Sequence, residues 1–377
     1  MNTERLAVLL LGLLLLSCSN SEDGPVQLPV DEGVTTQYAL LLSSQGKITQ
    51  TELEANAVDI HPTSGNHDFL PIDTPDLTYR DGNTFSFLHE QIDCGVDLSY
   101  WDPASGNLNW ESIFEDLPGC DRQLLAIAHS PSAVYVGYSL PGSGMKEVLF
   151  YLRFWSKETG SASLGDIAIE KEPLQLLWSG NRLFVLTYDI ETGKNSLQVL
   201  DSQTGTVEDE LDLGLDVLKI MKTISGQLLI SYQSRHLLLD ATNLEVVSRV
   251  QYIAGKEPHF GESGTNYFDP SGLLYYAMPT GGEGTEIPHI TGVYNFSDYT
   301  AYLYYYENFL SPERIAQYAI GDTRTVAFDA HNGLILIGYE KSGTGGKGGL
   351  LRIKPVPEPK FIDQINLDGI PEQLIVY

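Results

Sequence analysis

The 377-residue chain carries 22 Lys+Arg against 50 Asp+Glu, a formal charge of −28. A hydrophobic fraction of 42% allows a sizeable packed core and excludes wholesale disorder, while an acidic field that repels polyanions excludes nucleic acid as the default partner. With 36 Gly, 19 Pro and 21 Tyr, the composition leans towards an all-β chain.

Residues 1–18 read MNTERLAVLLLGLLLLSC. A single basic residue, Arg5, precedes an apolar run from Leu6 to Leu16, which suits a signal-peptide core and is short for a bilayer span. The run ends in Leu15-Leu16-Ser17-Cys18, which resembles a bacterial lipobox. That resemblance implies a lipoprotein signal peptide over 1–17, cleavage before Cys18, and acylation of Cys18 by chains such as palmitate, so that a lipid anchor holds the protein on a membrane. An ordinary secretory signal with a chance Cys is the alternative. Residues 18–36 are polar, acidic and Pro/Gly-bearing, as a flexible tether should be. Within them, Ser19-Asn20-Ser21-Glu22-Asp23 resembles the acidic stretch of surface-exported lipoproteins of Bacteroidota, which implies the outer membrane and the cell surface. Beyond Cys18 only Cys94 and Cys120 remain. Outside the cytoplasm two thiols are most simply one disulfide, and zinc would need further ligands at short spacing.

From residue 37 to 377 the chain repeats a unit of strand, tight turn, strand, loop, strand, Asp-x-x-Thr-Gly-like turn and strand. The clearest copy spans 174–214, with Ser179-Gly180-Asn181 as its first turn and Asp201-Ser202-Gln203-Thr204-Gly205 as its second. First-turn signals recur at Gly82, Pro131, Gly180, Gly226, Ser271 and Asn332. Four short strands in a period of roughly 40–50 residues is the arithmetic of a propeller blade. Six copies leave complementary fragments: an innermost strand at Glu372–Tyr377, and strands at Gln37–Ser43 and Lys47–Ala55 with no innermost strand before them. Together these predict an all-β, seven-bladed β-propeller closed by N- and C-terminal strands in one blade. Tandem sandwiches or a solenoid are the alternative, and Ser311-Pro312-Glu313 can cap a short helix or open an outer strand. Copies such as LQVLDSQTGTVEDELDLG resemble the seven-bladed YVTN and quinoprotein-like propellers, a likeness of fold and not of chemistry.

In such a ring, second-to-third-strand loops and blade-to-blade connections share one face, which therefore receives Cys94, Cys120 and the unusual loops. Residues 56–76 form a long connection with His61 and His67; 254–265 add Lys256, His259 and Phe260; 278–300 form the largest insertion, with His289, Tyr294 and Tyr299; 341–349 are Gly-rich and basic. Long loops without internal structure are often functional. Aromatics there supply stacking area, and His or scarce cations such as Arg235, Lys256 and Lys347 orient an anionic or chelate ligand. Each feature also has a plain reading. His61 and His67 suit solvent-exposed loop histidines as well as a metal site, and Gly-Thr-Gly-Gly-Lys-Gly-Gly lacks the Ser/Thr and helix of a phosphate loop. No catalytic residue, resident metal or cofactor is indicated by a motif. The expected function is capture of a small ligand (a siderophore, cobalamin or similar chelate) for uptake by a TonB-dependent transporter. Bacteroidota propeller lipoproteins that capture such ligands are similar in plan only. A protein-binding scaffold of an envelope or adhesion complex is the first alternative, an extracellular hydrolase or lyase the second.

Overall fold

A computed structural model describes residues 34–63, 71–117, 119–142, 147–157, 163–281 and 287–377. The predicted signal peptide, Cys18, most of the predicted tether and His67 lie outside the described residues.

Six antiparallel sheets of four strands and one of five form seven blades. Blade 1 runs Leu77–Asp81, Thr84–Glu90, Val96–Asp102 and Asn107–Ile113. Blade 2 runs Gln123–His129, Ala133–Pro141, Val148–Ser156 and Ser163–Ile169. Blade 3 is Glu172–Ser179, Arg182–Tyr188, Asn195–Asp201 and Val207–Gly214. Blade 4 is Val217–Lys222, Leu228–Tyr232, Arg235–Leu239 and Val246–Gln251. Blade 5 comprises Asn266–Phe268, Leu274–Pro279, His289–Asn295 and Thr300–Tyr304. Blade 6 comprises Ile320–Asp329, Leu334–Lys341, Gly348–Lys354 and Lys360–Leu367. In blade 7 the C-terminal strand Ile370–Val376 is innermost and pairs with Thr36–Ser44, followed by Lys47–Ala55. Tyr38 faces Val376 and Leu40 faces Leu374, so both ends of the propeller domain close one blade, as the fragments predicted.

Burial follows position in the blade. Every residue of Leu228–Tyr232, a second strand, is buried, because each sheet is covered on both faces by its neighbours. The outer strand Val207–Gly214 is mostly exposed. All six first-turn signals fall between first and second strands. In the second turn of blade 3, Asp201 Oδ1 accepts from the Gln203 and Thr204 amides at 3.0 and 2.7 Å, and Gly205 takes φ +69°.

Two segments differ from the sequence expectation. Residues 56–76 are not one connection: Ile60–Pro62 and Ile72–Asp73 pair with Lys47–Ala55 as two pieces of an outer strand, since Ile60 and Ile72 are buried against the blade. Residues 278–300 are not one insertion either. His289–Asn295 is a third strand, held in place by buried Ile290, Val293 and Tyr294. At Ser311 the chain takes the helical option: helix α1, Pro312–Tyr318, has Ser311 as N-cap and Pro312 in its first turn.

Two arginines, wholly buried in third strands, lock blades to what flanks them. Arg153 reaches Asp166 at 2.7 and 2.8 Å and Asp116, from the preceding connection, at the same two distances. Arg352 pairs with Asp363 of its own blade and donates to the Asn56 carbonyl of blade 7. Removing the carboxylates would strand an arginine charge in the interior.

Candidate functional site

The two faces of the ring are built differently. On the face of the first turns, contacts cross the axis between blades that are not neighbours. Lys222 of blade 4 pairs with Asp81 of blade 1 at 2.5 Å, and the Trp178 amide of blade 3 donates to the Tyr79 hydroxyl of blade 1 at 3.2 Å. Arg80 donates to the Leu374 carbonyl at 3.0 Å, with its guanidinium 5.3 Å from the Phe85 ring centroid and 6.0 Å from that of Tyr267. The opposite, loop face carries the longer connections. Cys94 follows the second strand of blade 1 and Cys120 lies in the connection to blade 2; they form a disulfide with Cα atoms 5.1 Å apart. Arg122 steadies this clasp by donating to the carbonyls of Cys94 and Leu117 at 2.6 and 2.9 Å.

The predicted ligand-binding residues are dispersed. His61 sits on the outer strand of blade 7, 3.1 Å from the exposed Asp59 carboxylate. Arg235 lies 4.1 Å from the Tyr232 ring centroid. Lys256 is exposed on the connection from blade 4 to blade 5, and His259 on the same connection bonds Glu262 at 2.8 Å. His289 begins a strand of blade 5, where its ring Nδ1 and backbone amide both reach Asp322 Oδ1 at 2.9 Å. Lys347 pairs with Asp368 at 3.8 Å.

Tyr294 and Tyr299 do come together, around a residue the sequence did not single out. His236, fully buried, has its ring centroid 5.7 Å from Tyr294, 5.9 Å from Phe260, 5.5 Å from Phe296 and 6.4 Å from Tyr299. Its Nδ1 meets the Tyr252 hydroxyl at 3.0 Å. Burial pushes its pKa down to about 4, so the imidazole is neutral at pH 7. Burial also raises the phenol pKa of Tyr252, Tyr276 and Tyr294. This aromatic cage fills the space between blades 4 and 5 and is packed interior at His236, Phe260, Tyr276 and Tyr294, with Tyr299 exposed at its edge.

An apolar-floored concavity lies elsewhere on the loop face, at the closing seam; a second, polar cleft of about 490 Å³ lies beside Lys171, Lys194 and Asp212 of blade 3. A cavity of about 450 Å³ opens between blade 7, blade 1 and the hairpin loop of blade 6. Its apolar floor is Leu41, Ile48, Phe87 and Ile370, and its polar groups include Ser43, Thr78, Glu372 and Gln373. The hairpin Gln45-Gly46, with φ +52° and +77°, brings backbone to one wall without bulk, and Gly346 does so at another. Glu372 Oε1 accepts from the Ser43 hydroxyl at 2.7 Å, and Oε2 lies 3.5 Å from Arg324. Arg324 is also 3.8 Å from Asp322 and 4.0 Å from Glu340. The dimensions fall in the range of small-molecule sites, and the pattern of apolar floor with a few convergent polar groups is that of such sites.

Of the residues predicted to bind ligand, those among the described residues (His61, Arg235, Lys256, His259, His289, Tyr294 and Tyr299) do not line this cavity. Its one ionisable wall residue among the described residues, Glu372, had a sequence signal: a charge in the innermost strand of a ring. The small residues Ser43 and Gly46 had none. Among the described residues no cluster of three or more His, Cys, Asp or Glu is arranged to hold a metal ion, and no helix is long and apolar enough to cross a membrane.

No protein-family model matches the chain, and no curated protein matches it. Solved structures do. A candidate 6-phosphogluconolactonase from Bacteroides uniformis superposes with a TM-score of 0.54 at 11% identity, over 91% of this chain and 99% of that one. A second candidate 6-phosphogluconolactonase, from Bacteroides fragilis, gives 0.54 at 11% identity over 94% and 100% of the two chains. At such identity the likeness is one of fold.

Proposed function

We propose that the protein is a surface-anchored lipoprotein that captures a small ligand on the loop face of the propeller for uptake across the outer membrane, handing it to a TonB-dependent transporter. The observation that carries the reading is the cavity of about 450 Å³ at the closing seam, the size and character of a small-molecule site. The Leu15-Leu16-Ser17-Cys18 sequence supports anchoring, with Cys18 as the acylated residue, and the acidic stretch behind it supports surface exposure. The ring contributes rigidity, because contacts across the axis on the far face leave the loop face free to hold its walls in place. Binding is then mostly preorganised, with little ordering cost on capture.

The test is thermal stabilisation of the purified chain against haem, cobalamin and a set of ferric siderophores. A ligand of the native state alone raises the melting temperature, by the equivalent of about 2.7 kcal/mol at a hundredfold excess over Kd. A flat response across the panel favours the protein-binding scaffold instead. Anchoring is tested separately: Cys18→Ser should release the protein from the membrane fraction and abolish palmitate labelling, and continued labelling would refute it.

A further inference from the structure

The charge of the cavity says which ligands it takes. Among the described residues, Glu372 is the one ionisable side chain in its wall. The lysines next to lining residues face carboxylates, Lys47 at 3.5 Å from Asp73 and Lys347 at 3.8 Å from Asp368, and Arg80, 3.5 Å from the Gln373 side-chain oxygen, donates to the Leu374 carbonyl at 3.0 Å. Behind Glu372, a single guanidinium, Arg324, is shared by the carboxylates of Asp322, Glu340 and Glu372, which leaves two negative charges in excess. His289, the remaining titratable neighbour, bonds Asp322 and not the cavity. The Glu372 carboxylate has room for about four hydrogen bonds. The Ser43 hydroxyl supplies one at 2.7 Å and Arg324 a long one at 3.5 Å, so acceptor capacity remains for a ligand. The acidic body of the protein, at −28, adds a field of the same sign.

We infer that the cavity selects a ligand with an apolar body and a cationic or N–H donor group, an ammonium, guanidinium or amide, which Glu372 receives, and that it rejects carboxylates. This rests on the capture reading and reverses the expectation of an anionic ligand held by His and Lys. A chelate bound here would turn amines or amide N–H groups inwards, not carboxylates. The apolar body would lie on Leu41, Ile48 and Phe87, with Thr78 and Gln373 as secondary partners.

The experiment uses three phenylalkyl probes of similar size and different charge on the purified full chain: 2-phenylethylamine, 3-phenylpropan-1-ol and 3-phenylpropionate, with dissociation constants from ligand-observed NMR. The amine should bind about tenfold more tightly than the carboxylate, with the alcohol between them. Glu372→Gln, which keeps the shape and can still accept from Ser43, should bring amine and carboxylate to within about twofold of each other. Salt offers a second arm that needs no variant: raising it should weaken the amine and leave the alcohol unchanged. Equal binding of amine and carboxylate by the native chain, or a preference that survives in Glu372→Gln, overturns the charge assignment while capture stands. Binding by none of the three, in a chain that haem, cobalamin or a ferric siderophore still stabilises, overturns this inference while capture stands; no response to either set overturns both.

Discussion

The cage around His236 and the cavity beside Glu372 are both gaps between neighbouring blades, and they have opposite contents. Between blades 4 and 5 the gap is filled by large rings: Phe260, Tyr276 and Tyr294 are each at most 2% exposed. At the closing seam the facing positions are small, Ser43, Ser44, Gly46 and Thr78, and about 450 Å³ stays open. Aromatic residues in a propeller therefore mark where interior has been filled. A site forms where the chain omits them. The cage even keeps polar atoms without a protein partner, His236 Nε2 and the hydroxyls of Tyr276 and Tyr294, inside its packed walls. Such atoms specify a geometry at a cost in stability, unless buried water satisfies them.

The sharpest way to break this contrast is to empty the cage. Phe260→Ala removes a ring that touches His236, Tyr252, Tyr276, Tyr294 and Phe296. Loss of transfer energy plus the void should destabilise the fold by about 3–5 kcal/mol, read by chemical denaturation. Probe binding in the seam cavity should survive once the variant is folded. If it vanished, the two gaps would be one coupled structure.

Next in size is the clasp of the loop face. Replacing Cys94 and Cys120 together by Ser opens a bridge across 26 residues, worth about 3.5 kcal/mol by loop entropy. Neither residue lines the cavity, so affinity for 2-phenylethylamine should hold while the melting temperature falls. A matching loss of affinity would show that the clasp shapes the seam as well.

The cage should also leave a signature in pH. His236 has its pKa lowered to about 4 in the fold, against about 6.5 in the unfolded chain. Between those values the unfolded chain takes up a proton that the folded chain does not, so stability falls as pH drops from 6.5 to 4. The loss from this residue is about 3 kcal/mol. His129 extends the fall, since burial and the nearby Lys157 and Lys222 depress it to about 3. His236→Phe should flatten the melting temperature between pH 6.5 and 4 relative to the native chain. Parallel curves would mean that His236 does not titrate in this way.

How much could be read beforehand follows from the same physics. Turns such as Asp201–Gly205 are local, encoded by side chains that bond their own backbone, and so the strand order and all six first turns were legible. Closure was legible because EQLIVY lacked partners in its own stretch of chain. The two mistaken loops failed because a few apolar residues, Ile60 and Ile72 in one and Ile290 and Val293 in the other, reveal a strand only once the blade they pack on exists. The cavity failed for a deeper reason. It is defined by what Ser43, Thr78 and Gly346 do not fill, and these residues come from three blades.

That absence can be tested with the smallest expected change in stability. Thr78 is exposed on the innermost strand of blade 1, at the cavity wall, so Thr78→Trp places a ring in open space rather than in packed interior. Stability should stay within about 0.5 kcal/mol of the native chain, because no buried contact is lost. Binding of 2-phenylethylamine and of any uptake ligand should nevertheless disappear, since the added volume occupies the floor above Phe87. A large destabilisation would mean that the seam is packed and not open. Unchanged stability with unchanged binding would move the site away from the seam, towards the polar cleft of Lys171, Lys194 and Asp212 on blade 3. Only loss of binding with the fold intact separates a cavity kept open by small residues from a gap the chain has merely failed to fill.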